Sequence, residues 1–305
     1  MATRPDRYWQ KPEFRHYLEY IPAWLVARLF QLFPVDIASN TFGAIGRCLG
    51  PRLSQSKRAR ENMRLVWPDL PDAEITRLIR GMWDNFARVP NDYWNLHQIR
   101  ADRDRRIEIV GAEHLAALKD SGRPGILFSA HTGDWEMATI AARMRDIDLT
   151  VVYRPFNNPL IDAQVREWQR ESGIELIMKG REGARRLTQV LKAGGNTFML
   201  VDVRMNDGLS VPFFGIEAMT PSAPAALALK YDALLVPVRT ERIGPARFRV
   251  TVEPPRPAVS TGDRAADMLA TMTWVNSRIE DWVRARPEQW MWLHRRWGRI
   301  AKPAA

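Results

Sequence analysis

The segment Gly125-Ile-Leu-Phe-Ser-Ala-His-Thr-Gly-Asp-Trp-Glu136 decides the fold of this 305-residue chain. It opens with a short apolar run, which is typical of a strand buried on both faces of a sheet. His131 follows this run, and Gly133 permits a tight turn into a helix that begins near Asp134. The segment therefore predicts a strand–turn–helix unit with a histidine at the carboxyl end of its strand.

Strand and helix patterns alternate on both sides of this unit. Strands are predicted at Ile107–Val110, Gly125–Ala130, Leu149–Tyr153, Glu175–Met178, Thr197–Val201, Leu234–Thr240 and Phe248–Val252. Helical spacing occurs between most of them, as at Glu113–Lys119, Met137–Arg143, Pro159–Glu171 and Gly183–Leu191. The alternation predicts an α/β fold with a mixed, mainly parallel sheet flanked by helices. Ligands of such folds bind beyond the carboxyl ends of the strands.

His131 and Glu136 are the candidate catalytic residues. If Glu136 lies in the first helical turn, its carboxylate can pair with the imidazole, hold its tautomer and stabilise the imidazolium. The other ring nitrogen of His131 is then a general base. Asp134 is a competing partner for the histidine or, alternatively, a cap for the helix. A purely structural histidine is the other interpretation of this pattern.

Composition and charge limit the classes of function. Hydrophobic residues make up 46% of the chain and charged residues 26%, which is typical of a globular protein. The single cysteine, Cys48, excludes an internal disulfide framework, and the five dispersed histidines argue against a metal site. Lys and Arg outnumber Asp and Glu by 45 to 35, which gives a net charge of +10. This excess suits a nucleic acid, an anionic membrane or an acidic or phosphorylated partner, or it is a solubilising surface.

Residues 1–100 are predicted to form a helical, membrane-associating extension, and residues 101–305 an integrated α/β core. Residues 17–49 carry few charges and many large apolar side chains, with amphipathic aromatics at Tyr17, Tyr20 and Trp24. A basic run follows between Arg52 and Arg64, which suits anionic headgroups. No charge-free run is long enough for a standard spanning helix, which disfavours a crossing of the bilayer. A pair of core helices is the alternative.

The ordered motifs of the chain resemble the lipid A biosynthesis acyltransferases, which belong to the glycerolipid acyltransferase superfamily. His131-Thr-Gly-Asp-Trp-Glu136 matches the HX4(D/E) motif of that superfamily. Further blocks occur in the order of the family: Tyr153-Arg-Pro155 with Asn157-Asn-Pro159, Arg181-Glu-Gly-Ala-Arg185, Asp202 with Val211-Pro-Phe-Phe-Gly215, and Trp290-Met-Trp-Leu-His-Arg-Arg-Trp297. One departure is Val203, because family members commonly carry glutamine after the aspartate.

The resemblance implies acyl transfer from an acyl carrier protein thioester to a hydroxyl of a lipid A precursor, on the cytoplasmic face of the inner membrane. It implies no cofactor besides this donor. The basic run and the net charge of +10 suit anionic membrane lipids as a further partner. The substrate-binding candidates are Asp134, Arg154, Arg181, Asp202, Arg204, Phe213, Phe214 and Gly215. The arginines suit phosphate or carboxylate groups. Phe213–Gly215 either line an acyl-chain channel or belong to the core, and residues 290–297 lie at the membrane surface or form a packed terminal helix.

Three other functions compete with this one. The same chemistry on another acceptor, such as a glycolipid mannoside or an aminolipid, is equally compatible with the HX4(D/E) motif. A basic nucleic-acid-binding protein is the remote alternative, but the sequence contains no recognisable binding module. A serine hydrolase is disfavoured because no G-x-S-x-G elbow occurs in the α/β region.

Overall fold

The computed structural model describes residues 11–298, so residues 1–10 of the predicted extension lie outside the described part. The described strands are β1 (Ile107–Val110), β2 (Gly125–Ser129), β3 (Leu149–Tyr153), β4 (Glu175–Met178), β5 (Asn196–Leu200), β6 (Leu209–Phe213), β7 (Ile216–Thr220), β8 (Leu234–Gly244) and β9 (Arg247–Val252). Seven of them form one sheet in the order β1-β9-β8-β2-β5-β3-β4, while β6 and β7 form a separate hairpin. Every neighbouring pair in the larger sheet is parallel except β8 with β9. The predicted mixed, mainly parallel sheet is confirmed.

Helices cover both faces of the sheet. They are α1 (Phe14–Phe30), α2 (Val35–Leu49), α3 (Gln55–Val66), α4 (Asp72–Trp94), α5 (Leu96–Ala101), α6 (Arg103–Arg106), α7 (Ala112–Asp120), α8 (Glu136–Arg143), α9 (Pro159–Glu171), α10 (Arg181–Lys192), α11 (Ala223–Tyr231) and α12 (Arg264–Ala285). The four helices predicted between strands occur as α7 to α10. The bounds of α9 are those predicted, and the bounds of the other three differ by one or two residues.

Strand β2 separates two hydrophobic cores, which explains its uninterrupted apolar sequence. All five of its residues are buried. Because successive side chains of a strand point to opposite faces, Ile126 and Phe128 pack into the core that contains residues of α3, α4 and α12. Leu127 packs into the core on the other face, with residues of α7 and α8. Because β2 is also the fourth of the seven strands, its carboxyl end lies in the middle of the sheet.

The hairpin of β6 and β7 is an addition to the predicted fold. Its turn consists of Phe214 and Gly215, whose φ angles are +57° and +72°. Two-residue hairpin turns commonly require positive φ at both positions, a conformation that a bulky residue such as phenylalanine rarely adopts. This turn therefore has no recognisable sequence pattern. Strand β8 also continues beyond the predicted Thr240 to Gly244, because it pairs antiparallel with β9 across a short connection.

The N-terminal helices divide into a buried and an exposed part. Helices α3 and α4 contribute Met63, Ile75 and Met82 to the same core as Ile126 of the sheet. Helices α1 and α2 leave many large apolar side chains exposed, among them Phe14, Leu18, Leu25, Leu29, Ile37, Ile45 and Leu49. No helix in the described part of the chain has both the length and the apolar character needed to cross a bilayer. Membrane association and the boundary at residue 100 stay predictions.

Candidate active site

The carboxyl ends of β2 and β5 bring His131 and Asp202 together. The two strands are parallel neighbours with Ser129 opposite Leu200, and the pairing continues where the Val201 N–H donates to the Ser129 carbonyl at 3.1 Å. Each strand therefore delivers its next residues to the same edge of the sheet, where ligands bind in this class of fold.

Asp202 holds His131 through two hydrogen bonds. Its Oδ1 lies 2.8 Å from Nδ1 of the imidazole, and its Oδ2 accepts the backbone N–H of His131 at 2.9 Å. The same Oδ2 accepts the Nε1–H of Trp290 at 2.8 Å. Because Nδ1 is engaged by the carboxylate, Nε2 of His131 is the nitrogen that can serve a substrate.

The environment of Asp202 keeps this carboxyl ionised although it is fully buried. Burial alone raises the pKa of Asp202, but the charge of His131 and the hydrogen bonds from His131 and Trp290 outweigh it and hold the pKa below its usual value. An ionised carboxylate behind an imidazole stabilises the imidazolium that forms when the ring takes a proton. The arrangement suits His131 as a general base.

Glu136 does not pair with His131, so the predicted partnership is wrong in this structure. Within the described residues its carboxylate instead accepts hydrogen bonds from Tyr93 and Gln169, and a longer one of 3.3 Å from Thr139. The turn at Gly133, with φ of +57°, sets the rotation of α8 so that Glu136 meets α4 and α9 while His131 meets Asp202. Glu136 therefore links three helices beside the site.

Asp134 lies fully buried beneath the turn. Its Oδ1 accepts the backbone N–H of Glu136, the first residue of α8, at 3.1 Å, although the N-cap position itself is occupied by Trp135. Burial, together with the charge of Asp92, raises the pKa of Asp134 well above its usual value. Burial and the charges of Glu136 and Asp134 likewise raise the pKa of Tyr93, which makes the phenol a neutral donor. The structure thus places Asp134 in the interior rather than on a substrate-facing surface.

Residues 290–297, here called the C-terminal segment, pack against the site without forming a helix. Trp290 forms an antiparallel bridge with Thr132, and the Met291 N–H donates to the His131 carbonyl at 3.0 Å. Trp290 and Trp292 are almost completely buried. The predicted terminal helix is therefore wrong, and these two indoles do not lie at the surface.

The C-terminal segment also brings a second histidine to the site. The ring of His294 lies edge-to-face with that of His131, at 5.1 Å between centroids. Trp135 contacts the His131 ring at 4.9 Å. Neither His294 nor Trp135 was a predicted site residue, because side-chain contacts across the chain leave no local pattern.

The predicted arginines follow strands whose carboxyl ends lie at the same edge of the sheet as that of β2. Arg154 follows β3, Arg181 begins the helix after β4, and Arg204 lies shortly after β5. All three are exposed, and within residues 11–298 none of them forms an ion pair. The Arg204 guanidinium lies against Gly298, where an added Cβ would be 2.8 Å from its Nη1.

Arg58 is a further cation near the site. Its place in the basic run between Arg52 and Arg64 predicted only a contact with lipid headgroups. Its Nη1 donates to the Leu293 carbonyl at 3.1 Å, and its charge reaches His294. Sequence alone could not predict this contact, because α3 and the C-terminal segment are far apart in the chain and meet only in the folded protein.

Phe213, Phe214 and Gly215 form the tip of the β6–β7 hairpin. Phe213 is fully buried and stacks on Trp297 with ring centroids 5.6 Å apart. The Phe214 N–H donates to Glu280 at 2.7 Å, which anchors the tip to α12. Phe213 and Phe214 thus make core contacts, whereas Gly215 is exposed.

The described side chains offer proton-transfer chemistry. One imidazole has an ionised carboxylate behind it and an available Nε2, and a second imidazole lies beside it. Among residues 11–298, no group of three or more His, Cys, Asp or Glu side chains is placed to hold a metal ion. An imidazole so arranged can remove a proton from a hydroxyl and return it to a leaving group.

Comparison with known proteins gives matches over most of the chain. The family model described as bacterial lipid A biosynthesis acyltransferase matches residues 9–299. The chain is 26% identical over 282 residues to the lipid A biosynthesis lauroyltransferase of Escherichia coli K12, which covers 90% of this chain and 88% of that protein. It is 26% identical over 231 residues to the phosphatidylinositol mannoside acyltransferase of Mycolicibacterium smegmatis, which covers 72% and 73%. The lipid A biosynthesis acyltransferase of Haemophilus influenzae is 21% identical over 271 residues, which covers 87% and 83%.

Proposed function

The chain belongs to the bacterial lipid A biosynthesis acyltransferase family, as its motifs predicted, and we propose that it moves a fatty acyl chain from an acyl carrier protein thioester to a hydroxyl of a lipid A precursor. Membership of this family makes the protein an acyltransferase that acts on a glycolipid acceptor. The observation that supports the finer proposal is the His131–Asp202 pair at the carboxyl ends of two central strands.

In the proposed reaction, Nε2 of His131 accepts the proton of the acceptor hydroxyl while the hydroxyl oxygen bonds to the thioester carbon. Asp202 stabilises the resulting imidazolium. The carbon–sulfur bond then breaks, and the imidazolium returns its proton to the departing thiolate. A general base contributes about 10²–10⁴-fold to such a rate, so positioning and stabilisation of the oxyanion must supply the rest.

Arg154, Arg181 and Arg204 are proposed to contact phosphate or carboxylate groups of the substrates. Three facts support this: their exposure, their lack of ion pairs in the described chain, and their places after β3, β4 and β5. The guanidinium group binds such anions through paired hydrogen bonds. An acidic carrier protein also suits the net charge of +10.

A mannoside-containing glycolipid is the second candidate acceptor. It is favoured by the similarity to the phosphatidylinositol mannoside acyltransferase of Mycolicibacterium smegmatis, whose identity to this chain is the same 26% as that of the Escherichia coli lauroyltransferase. The lipid A match extends over more of both proteins, 282 residues against 231. We therefore place the lipid A precursor first.

We further propose that the protein lies on the cytoplasmic face of the inner membrane through α1 and α2. The exposed apolar side chains of these helices support the proposal, because many exposed large apolar residues on two consecutive helices are typical of a membrane or protein contact. Beside them, Arg47, Arg52 and Arg80 line a hollow with Cys48, which suits the phosphates of anionic lipids.

The test measures the rate of acyl transfer by the purified protein in detergent. Acyl carrier proteins charged with several chain lengths are offered together with a lipid A precursor or a phosphatidylinositol mannoside, and coenzyme A thioesters serve as the competing donors. We expect transfer to the lipid A precursor, and a loss of about 10²–10⁴-fold in His131→Ala. Transfer to the mannoside alone would overturn the proposal of a lipid A precursor as acceptor. Preference for coenzyme A thioesters would overturn the proposal of acyl carrier protein as donor.

A further inference from the structure

His294 is a half-buried imidazole beside the proposed base. It lies in the C-terminal segment, with its ring edge-to-face against His131 at 5.1 Å between centroids. The proposed reaction so far uses only His131 and Asp202, so the second ring has no assigned role.

The backbone around His294 is held firmly from three directions. Asn62 of α3 donates through its Nδ2 to the carbonyls of Trp292 and His294, both at 2.7 Å. Arg58 donates to the Leu293 carbonyl at 3.1 Å. On the other side, the Met291 N–H donates to the His131 carbonyl at 3.0 Å. The position of the His294 ring relative to His131 is thus fixed by α3 and by the site itself.

The ring, by contrast, lacks a partner at one nitrogen. Among the described residues, Nε2 of His294 is buried and makes no hydrogen bond. Leaving a buried polar atom unpaired costs about 1–3 kcal/mol, so such atoms are uncommon in well-bonded segments. A nitrogen of this kind next to a proposed base is explained if a substrate atom pairs with it during the reaction.

The surrounding charges give the two histidines different properties. Burial, followed by the charge of His131, lowers the pKa of His294; the charge of Asp202 opposes this shift, and that of Arg58 adds to it. His294 is therefore a neutral ring at neutral pH, with one N–H to donate. His131 alone has a carboxylate against its Nδ1, which suits it to take the proton.

We propose that His294 is a second catalytic residue, which donates the hydrogen bond of its Nε2–H to the thioester carbonyl oxygen as this oxygen becomes negative. The inference rests on the proposed acyl transfer. As the hydroxyl oxygen bonds to the carbonyl carbon, its proton passes to His131 and the π electrons move to the carbonyl oxygen, where His294 stabilises them. The carbonyl re-forms when the carbon–sulfur bond breaks, and His131 protonates the thiolate. His294 keeps its proton throughout.

The kinetic test compares His294→Ala, His294→Gln and the control His97→Gln, which changes an exposed histidine of α5. Removal of one oxyanion donor lowers kcat by about 10²–10³-fold, which is the loss expected for His294→Ala with little change in KM. Glutamine retains an N–H donor, so His294→Gln should recover about tenfold of that loss. Thermal unfolding of each variant checks that the fold is retained.

A spectroscopic test detects the proposed hydrogen bond from His294 to the thioester carbonyl in the absence of the acceptor lipid. The infrared band of a ¹³C-labelled thioester carbonyl is recorded on acyl carrier protein, free and bound to the protein. We expect the bound carbonyl to absorb at lower frequency in the wild type and in His131→Ala, and to return toward the free value in His294→Ala.

The outcomes separate the two proposals. Absence of transfer to any glycolipid would refute the proposed function, whereas the infrared shift would still report on His294. Kinetics of His294→Ala within about threefold of the wild type, a shift that survives in this variant, or no shift in the wild type would each overturn the role of His294.

Discussion

His131 and Asp202 form a polar pair whose geometry is set by two strand ends and one indole. Because Asp202 accepts hydrogen bonds from the ring, from the backbone of His131 and from Trp290, the imidazole has little freedom to rotate. The carboxylate therefore both fixes the tautomer and stabilises the protonated ring. An asparagine at position 202 has nearly the same shape as the aspartate but no charge, and its NH₂ group places a donor beside Nδ1 of His131.

At this residue we predict that Asp202→Asn lowers the rate of acyl transfer by about 10²–10⁴-fold, close to the effect of removing the base. The loss should fall on kcat, since Asp202 is buried behind His131. As a control, Asp207→Asn changes an exposed carboxyl on the same loop and should leave transfer unchanged. Transfer by Asp202→Asn at near wild-type rate would contradict the role of the pair.

Asp202 should also contribute to stability in a pH-dependent way. Its pKa is lowered in the folded protein relative to an unfolded value of about 3.9, so the folded state favours the ionised form. This contribution is present above the unfolded pKa and is lost as the pH falls through the folded pKa. The difference in Tm between the wild type and Asp202→Asn should therefore be largest above about pH 5 and shrink on acidification below about pH 4.

At the scale of the element, the turn from β2 into α8 places His131. Gly133 has φ of +57°, and an added Cβ would lie 2.5 Å from the Thr240 carbonyl oxygen. The turn therefore packs its backbone directly on β8. Any side chain at this position must push the turn away from the sheet and carry His131 with it.

We accordingly predict that Gly133→Ala destabilises the protein by about 1–3 kcal/mol and also reduces acyl transfer. The matched control is Gly122→Ala, where φ is +65° but nothing lies within 4 Å of the added Cβ. The control should lose stability through backbone strain alone and retain full transfer. Urea unfolding and the transfer assay measure both effects, and equal activity losses in the two variants would refute the packing argument.

The same element shows what the sequence predicts and what it leaves open. Apolar runs and helical spacing located β2, its histidine and the following helix, because burial on both faces leaves a local pattern. The partner of His131 was misassigned because residue spacing does not give the rotation of a helix after a turn. Asp202 was detectable in principle, since it follows β5, but its pairing depends on β5 lying next to β2. His294 and Trp290 reach the site only through tertiary packing.

At the scale of the whole molecule, two surfaces of different character lie at different places on the chain. The site and its arginines lie at the carboxyl edge of the sheet, whereas α1 and α2 present exposed apolar side chains, such as Leu25 and Leu29 at 55% and 54% exposure. An enzyme that modifies a lipid must bring both to the bilayer at once. The proposed lipid acceptor and the proposed membrane contact thus require the site and the helices α1 and α2 to face the same bilayer.

We predict that the protein binds vesicles of phosphatidylcholine with phosphatidylglycerol, and that Leu25→Glu with Leu29→Glu abolishes this binding. Exposure of a buried leucine costs about 1.5–3 kcal/mol, so each change should weaken binding by about tenfold or more. Leu269→Glu on α12, where the leucine is 44% exposed, is the matched control and should bind normally. Co-sedimentation measures the bound fraction.

The same vesicle experiment also tests the electrostatic contribution of the hollow lined by Arg47, Arg52 and Arg80. Arg52→Ala and Arg80→Ala should each weaken binding to the anionic vesicles by about 1 kcal/mol, and should have no effect on pure phosphatidylcholine. Rising salt should reproduce the loss, because exposed charges are screened within about 10 Å at 0.1 M. Were the wild type to dimerise through α1 and α2 and ignore vesicles of both kinds, the apolar helices would be a contact between copies of the chain, and the membrane proposal would fail.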